Sequence, residues 1–191
     1  MAMMQTFPLD PGGAASDRSA LVGERDGLHI TDRTAWPRFG IKGPGSAGWL
    51  TSVGVGIDLP SPNRLAVKQG LVVMRLGRND IVFLSDDGSP NAIAALQDQW
   101  QNAAGSKGYL SWREEAWAWL HLDGAALDNT LAQCCAVDLR PSVHDADRIA
   151  QTSFAHADAV VTRRNGSVDV LFDISATAAV LSAIRQTGAG T

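Results

Sequence analysis

Residues 70–85 read GLVVMRLGRNDIVFLS. An apolar, β-branched run over 70–76 gives way to the turn residues GRND and then to a second run, IVFLS, over 81–85. Two such runs across a short turn predict a β-hairpin. A helix is expected next, because Ser89 can serve as its cap and Pro90 can take the first helical position, where a missing N–H costs nothing. Ile93, Leu96 and Trp100 then recur at helical spacing.

The same order returns nearer the C-terminus. RIAQTSFAHADAVVTR (148–163) supplies extended segments, Asn165-Gly166 a turn, and SVDVLFDI (167–174) the alternation of a half-buried strand. Ser175 opens a second helix, with Val180, Leu181 and Ile184 on its buried face. A hairpin followed by a helix, used twice, predicts an α+β protein in which antiparallel sheets carry helices packed on one face. The division expected is a mobile N-terminus over 1–20, a first α+β unit over 21–107, a second over 108–187, and a mobile tail over 188–191. AAGSKG breaks the pattern near 104–110.

Between the copies lies WAWLHLDGAALDNTLAQCC (117–135). Residues 116–122 read as a strand with Ala116, Ala118, Leu120 and Leu122 on one face and Trp117, Trp119 and His121 on the other. Both faces are apolar, so Trp117 and Trp119 either belong to the internal core or present rings to a partner chain, where tryptophan is a common anchor. Asp123 or Gly124 starts a helix whose buried stripe runs through Leu127, Leu131 and Cys134 or Cys135. The paired cysteines therefore read as helix packing. Nothing flanking them would lower a thiol pKa, as a reactive cysteine requires.

The chain has 191 residues, a formal charge of −4, 45% apolar residues and 19% charged ones. A chain of this length buries roughly 70% of its unfolded surface. No basic run exceeds Arg163-Arg164, so neither nucleic acid nor an anionic membrane is an expected partner. The N-terminal residues lack the basic start and apolar run of a secretory signal, and no stretch reaches the length of a membrane span. With two adjacent cysteines and no disulfide framework, the expected location is the cytoplasm.

Candidate sites are few. GPGSAG (43–48) has the spacing of a dinucleotide loop, but a proline sits inside it and neither the long helix nor the later acid follows. A loop opening a short helix is expected instead. His29, His121, His144 and His156 stand apart, with no metal-ligand spacing, and no serine lies in a hydrolase elbow. The acids of HDAD (144–147) and Glu114-Glu115 read as solvated loop residues. Asp138, Asp158 and Asp169 would be the acids to inspect for a folate or aminomethyl site, although their spacing selects none of them.

The landmarks GVGIDLPSPN (54–63), MRLGRNDIVFLS (74–85), LHLDGAALDNTLAQCCAVDLRP (120–141) and AQTSFAHADAVVTRR (150–164), with a helix after DVLFDIS, together resemble the gamma subunit of heterotetrameric sarcosine oxidase. The likeness spans roughly residues 35–187. Pro60, Pro62 and Asn63 fall on the family's Pro-Asn step, and Leu76, Gly77, Asn79 and Asp80 on its hairpin turn. Gly124, Ala126, Leu131, Cys135, Asp138, Leu139 and Pro141 fall on its helix and exit, and Gln151 and Thr152 on its strand. Arg78 replaces the hairpin proline, Ile81-Val82 replace Trp-Leu, and YLSWREEA (109–116) stands where the family has an Asp-x-Ser turn.

The resemblance implies the aminomethyltransferase-like folate-binding superfamily, shared with the glycine cleavage T-protein and the N-terminal domain of a tRNA-modifying GTPase. It further implies a small subunit with no catalytic residues and no bound cofactor or metal of its own. FAD, FMN, NAD and tetrahydrofolate would sit on larger flavin- and folate-bearing subunits, and the complex would demethylate an N-methyl amino acid oxidatively, passing the one-carbon unit to tetrahydrofolate. The alternative is a free-standing folate-binding or aminomethyltransferase-like protein.

Overall fold

The computed structural model describes residues 20–25, 27–53, 58–103, 108–111 and 113–187, the first of these segments as backbone alone. Apart from Ala20, the expected mobile ends lie outside the described residues. So do residues 54–57 of GVGIDLPSPN, 104–107 of AAGSKG, and Trp112.

The strands are β1 (Ala20–Arg25), β2 (Leu28–Asp32), β3 (Arg38–Lys42), β4 (Arg64–Lys68), β5 (Leu71–Gly77), β6 (Asp80–Ser85), β7 (Tyr109–Leu110), β8 (Trp117–Asp123), β9 (Ile149–Phe154), β10 (Ala157–Arg164) and β11 (Ser167–Asp173). The helices are α1 (Ser46–Ser52), α2 (Asn91–Asn102), α3 (Arg113–Ala116), α4 (Leu127–Cys134) and α5 (Thr177–Gln186), the last preceded by a 3-10 turn over Ile174–Ala176. They form two antiparallel sheets, one ordered β1-β2-β8-β11-β10-β9 and the other β4-β5-β6-β3-β7. The expected α+β class, with antiparallel sheets and helices, is what the chain adopts.

Each sheet defines a compact unit. The five-stranded one comprises Trp36–Glu115 with Asp147–Ile149, and the six-stranded one the remaining stretches up to Ala35, Ala116–Ala146 and from Ala150 onward. This differs from the continuous division at 107/108. Strand β2 pairs with β8, matching Ile30 to Leu122 and Thr31 to His121, so residues 28–32 join a sheet whose centre is made much later in the chain.

In the five-stranded unit the hairpin read at 70–85 is present as β5 and β6, closed by the two-residue turn Arg78-Asn79. Helices α1 and α2 place Trp49, Leu50, Ile93, Leu96 and Trp100 in one cluster with Phe39, Ile41, Val73, Ile81 and Phe83 of the sheet. The GPGSAG loop does open a short helix, α1. Two strands that the sequence did not announce flank the hairpin. In β3, Gly40 interrupts the apolar run, and a Cβ there would meet the Ser111 hydroxyl, which would have to turn away. Helix α2 begins at Asn91 rather than on a Ser89 cap. Asp87 accepts instead, from the Ser89 N–H (2.8 Å) and the Ser85 hydroxyl (3.0 Å). Within YLSWREEA, the Arg113 fork grips the Asp80 carboxylate at 2.6 and 2.8 Å.

In the six-stranded unit, Leu28, Ile30, Ala118, Leu120, Leu122, Val168, Val170 and Phe172 form one face. Leu127 and Leu131 of α4 and Val180, Leu181 and Ile184 of α5 pack in the same cluster, as their spacing required. Asn165-Gly166 makes the β10–β11 turn with φ of 51° and 81°, which suits its two left-handed positions. The helix expected at Ser175 starts as the 3-10 turn, whose Ser175 N–H is held by the Asp173 carboxylate, and becomes α-helical at Thr177. The start expected at Asp123 or Gly124 falls at Leu127, because Gly124 takes a φ of +108° to turn the chain beside the Gly27 carbonyl.

Candidate functional site

Strand β8 alternates strictly. Ala118, Leu120 and Leu122 point into the helix-covered core, so Trp117, Trp119, His121 and Asp123 occupy the opposite face. The register brings His121 opposite Asp169 of β11, and Trp119 opposite Leu171. Asp169, 3% exposed, is the hub of that face. Its Oδ1 accepts the Trp119 indole N–H at 2.8 Å and lies 2.9 Å from His121 Nδ1 and 3.4 Å from Arg33 Nη1, while Arg164 Nη2 is 3.5 Å from its Oδ2. The Arg33 guanidinium also stands 5.8 Å from the centre of the Trp119 ring. The network continues outward, since His121 Nε2 lies 3.8 Å from Asp123 and Asp123 lies 2.9 Å from His29 Nδ1.

Burial alone would push the Asp169 carboxyl up. The hydrogen bond and charge of His121, the Trp119 N–H and the charge of Arg33 outweigh it and hold the carboxyl below the usual carboxylate range. A general base needs a reachable lone pair and a pKa near the working pH. Asp169 has neither, and its arrangement suits an electrostatic anchor that ties β8, β10 and β11 to Arg33, the residue that follows β2.

The two readings of the tryptophan pair divide between the rings. Trp119 is fully buried and held on Asp169, so it is internal. Trp117 is only partly buried and lines an open groove with Asp158 and Asp173. The three acids singled out in the sequence occupy three separate settings. Asp169 is the buried hub, and Asp158 is exposed on β10. Asp138 follows α4, where the Arg140 guanidinium and backbone N–H lower its pKa to about 2.

The cysteines close α4. Cys134 is its last residue, and Cys135 leaves it in extended conformation, bridging to Phe154 of β9. Both are free thiols packed against the Leu127/Leu131 cluster, which agrees with the packing reading. They also line an open cleft of about 400 Å³ with Ser153 and His156. Burial pushes both thiols up; the neighbouring Cys135 sulfur adds to this at Cys134, while a backbone hydrogen bond at Val137 offsets part of it at Cys135. Iodoacetamide at neutral pH is therefore expected to label both several-fold more slowly in the folded chain than in urea, read by mass spectrometry. Equal or faster labelling of the folded chain would show an activated thiol.

Among the described residues no group of three or more His, Cys, Asp or Glu is placed to hold a metal ion, and no described helix is long and apolar enough to cross a membrane. Sequence reasoning missed Arg33 and Arg164, which meet at Asp169 only through strand register. No spacing in the sequence could have paired them.

With this arrangement in view, the solved structures give a clear comparison. A chain of heterotetrameric sarcosine oxidase from Corynebacterium sp. U-96, in complex with pyrrole 2-carboxylate, superposes with a TM-score of 0.71 at 21% identity, over 87% of this chain and 86% of that one. The fold is shared. The glycine cleavage system aminomethyltransferase T from Bartonella henselae superposes with a TM-score of 0.63 at 16% identity, over 84% of this chain and 46% of that one, so this chain spans about half of the transferase. No family model and no curated protein matches the sequence.

Proposed function

We propose that the chain is the small, non-catalytic subunit of a sarcosine-oxidase-like complex. The observation that carries this reading is the pair of nearly equal coverages, 87% and 86%, with a chain of a heterotetrameric oxidase. That chain has almost the length of this one, as a small subunit would. The ordered landmarks from GVGIDLPSPN to DVLFDIS support the same assignment to a gamma-type chain. The chemistry at hand favours it too, because the buried acid is saturated with donors and the thiols are disfavoured as thiolates. The flavins, NAD and tetrahydrofolate would then be carried by larger partner subunits in the cytoplasm, and the substrate would be an N-methyl amino acid.

The test is purification of the tagged chain from its native cells. The expected result is a co-purifying yellow flavoprotein that oxidises sarcosine or a related N-methyl amino acid. A chain recovered without any flavoprotein would overturn the proposal. The likeness to aminomethyltransferase T favours a second reading, a free-standing folate-binding protein. Saturable binding of tetrahydrofolate by the isolated chain in calorimetry would support that second reading against the first.

A further inference from the structure

Cys134 and Cys135 are held as a pair by their own backbone. The Cys135 N–H donates to the Leu131 carbonyl at 2.9 Å, the Cys134 carbonyl accepts the Ala155 N–H at 2.7 Å, and the Ala136 N–H donates to the Ser153 carbonyl at 3.1 Å. The chain through the pair is thus pinned both to α4 and to the end of β9 with the turn that follows it. Both side chains reach the same cleft of about 400 Å³, and a charge on Cys135 is felt at Cys134, so the two sulfurs stand close together. Each is a half-buried free thiol.

The cleft selects its ligand by softness. No carboxylate, lysine or arginine lines it. Mg²⁺ and Ca²⁺ favour carboxylate and other oxygen ligands, and an anion finds no guanidinium or ammonium group. The amides of Gln133 and Gln186 and the Thr187 hydroxyl donate within their own helices, to the Asn129 carbonyl (3.4 Å), the Ser182 hydroxyl (3.5 Å) and the Ile184 carbonyl (2.7 Å). The sulfurs are left as the donors of the cleft, with the exposed imidazole of His156 at its rim. Zn²⁺ takes at least three protein ligands, and among the described residues no three His, Cys, Asp or Glu converge on one point. Cu(I) is different, because it prefers thiolates and is satisfied by two of them in line. The pinned backbone also spares the cost of gathering the ligands.

We propose that Cys134 and Cys135 form a two-sulfur site for a soft monovalent cation, Cu(I). Each ion taken up displaces the two thiol protons to solvent and leaves a bis-thiolate complex, with no change of oxidation state. The inference goes beyond the subunit reading, whose resemblance implies no metal on this chain, and does not rest on it.

In the experiment the full-length chain, reduced and kept free of oxygen, is titrated against Cu(I) held as its coloured bathocuproine disulfonate complex. The wild type is expected to withdraw one ion per chain. Cys134→Ala and Cys135→Ala each keep one thiol, yet both should bind about a hundredfold more weakly, because the second sulfur acts at high effective concentration. His156→Ala should stay within about threefold of wild type, the spread of an unaffected site. Wild-type chain unfolded in urea carries the same adjacent cysteines without the pinned backbone and should bind about tenfold more weakly. A readout that needs no variant is mass spectrometry after iodoacetamide, in which one equivalent of Cu(I) should protect both cysteines of the folded chain together. Failure to withdraw the ion, protection of one cysteine alone, or equal binding by the unfolded chain would overturn the site. Single variants that hold Cu(I) as tightly as wild type would mark an adventitious ion only and overturn it as well. Loss of binding in His156→Ala would overturn the two-sulfur assignment, and displacement of Cu(I) by equimolar Zn²⁺ would overturn the choice of a soft monovalent cation. The flavoprotein test of the subunit reading stands apart from every one of these results.

Discussion

Replacing Asp169 with alanine is expected to destabilise the six-stranded unit by about 3–5 kcal/mol, the usual cost of removing one partner from a buried charge network. The variant removes the carboxylate on which two guanidinium groups, an imidazole and an indole N–H converge. For a chain of this size the melting temperature should fall by roughly 10 °C. Asp169→Asn is expected to recover part of the loss, because an amide oxygen can still accept from Trp119 while the charge is gone. The pH dependence follows from the carboxyl being held below its unfolded value of about 3.9. Its ionised form contributes stability above that value, and the contribution is lost as the pH falls through the folded one. The gap between wild type and Asp169→Asn in urea unfolding should therefore be full at pH 7 and shrink below about pH 4. A gap that persists unchanged in acid would mean the network does not depend on the charge.

Phe83→Ala is expected to cost about 3–5 kcal/mol in the five-stranded unit. Phe83 is fully buried on β6, stacked on Phe39 at 4.7 Å and 13°, and it meets the edge of Trp49 at 6.1 Å. Trp49 in turn meets Trp100 of α2 edge-on at 5.1 Å, so one ring ties both helices to the sheet. Aromatic pairs of this kind add about 0.5–1.5 kcal/mol each beyond the area they bury. Val67→Ala, at a site 46% exposed on the outer strand β4, should stay within about 0.5 kcal/mol of wild type and serves as control. Tryptophan fluorescence during urea unfolding is the readout, with Trp49 and Trp100 inside the Phe83 cluster. A loss no larger than that of Val67→Ala would show that the cluster is not holding its helices.

The parts of the fold that were legible are those where local pattern and tertiary role coincide. The β5–β6 hairpin, the buried stripe of α5 and the Asn165-Gly166 turn were readable because the residue types that favour each local conformation also face the core. The β9–β10 hairpin was not readable as a turn. Ala155 and His156 adopt φ of 47° and 68° without the Asn or Gly that usually marks such positions. The Ala155 N–H is tied instead to the carbonyl of Cys134, a distant contact that no local window contains. Strand β3 hides behind Gly40, a residue that strands disfavour and that here packs beside the Ser111 side chain.

The functional face was legible in its strand and opaque in its partners. Alternation placed Trp117, Trp119 and His121 together, but whether a ring is covered depends on what the other strands bring. Asp169 stood among three acids that nothing in the sequence could rank. Only the pairing of β8 with β11 gave it Trp119 and His121, and only that pairing left Trp117 beside Asp158 and Asp173.

The six-stranded sheet is threaded from distant stretches: His29 on β2 meets Asp123 at the end of β8, a separation of 94 positions. During synthesis, strands β1 and β2 leave the ribosome long before their central neighbour exists, and almost all of the five-stranded unit is translated in between. The early hairpin must wait as an unpaired sticky edge, the kind of species that invites aggregation. The intervening unit, nearly continuous in the chain, is free to fold in that interval. It thereby shortens the loop of nascent polypeptide that β8 must close when it arrives.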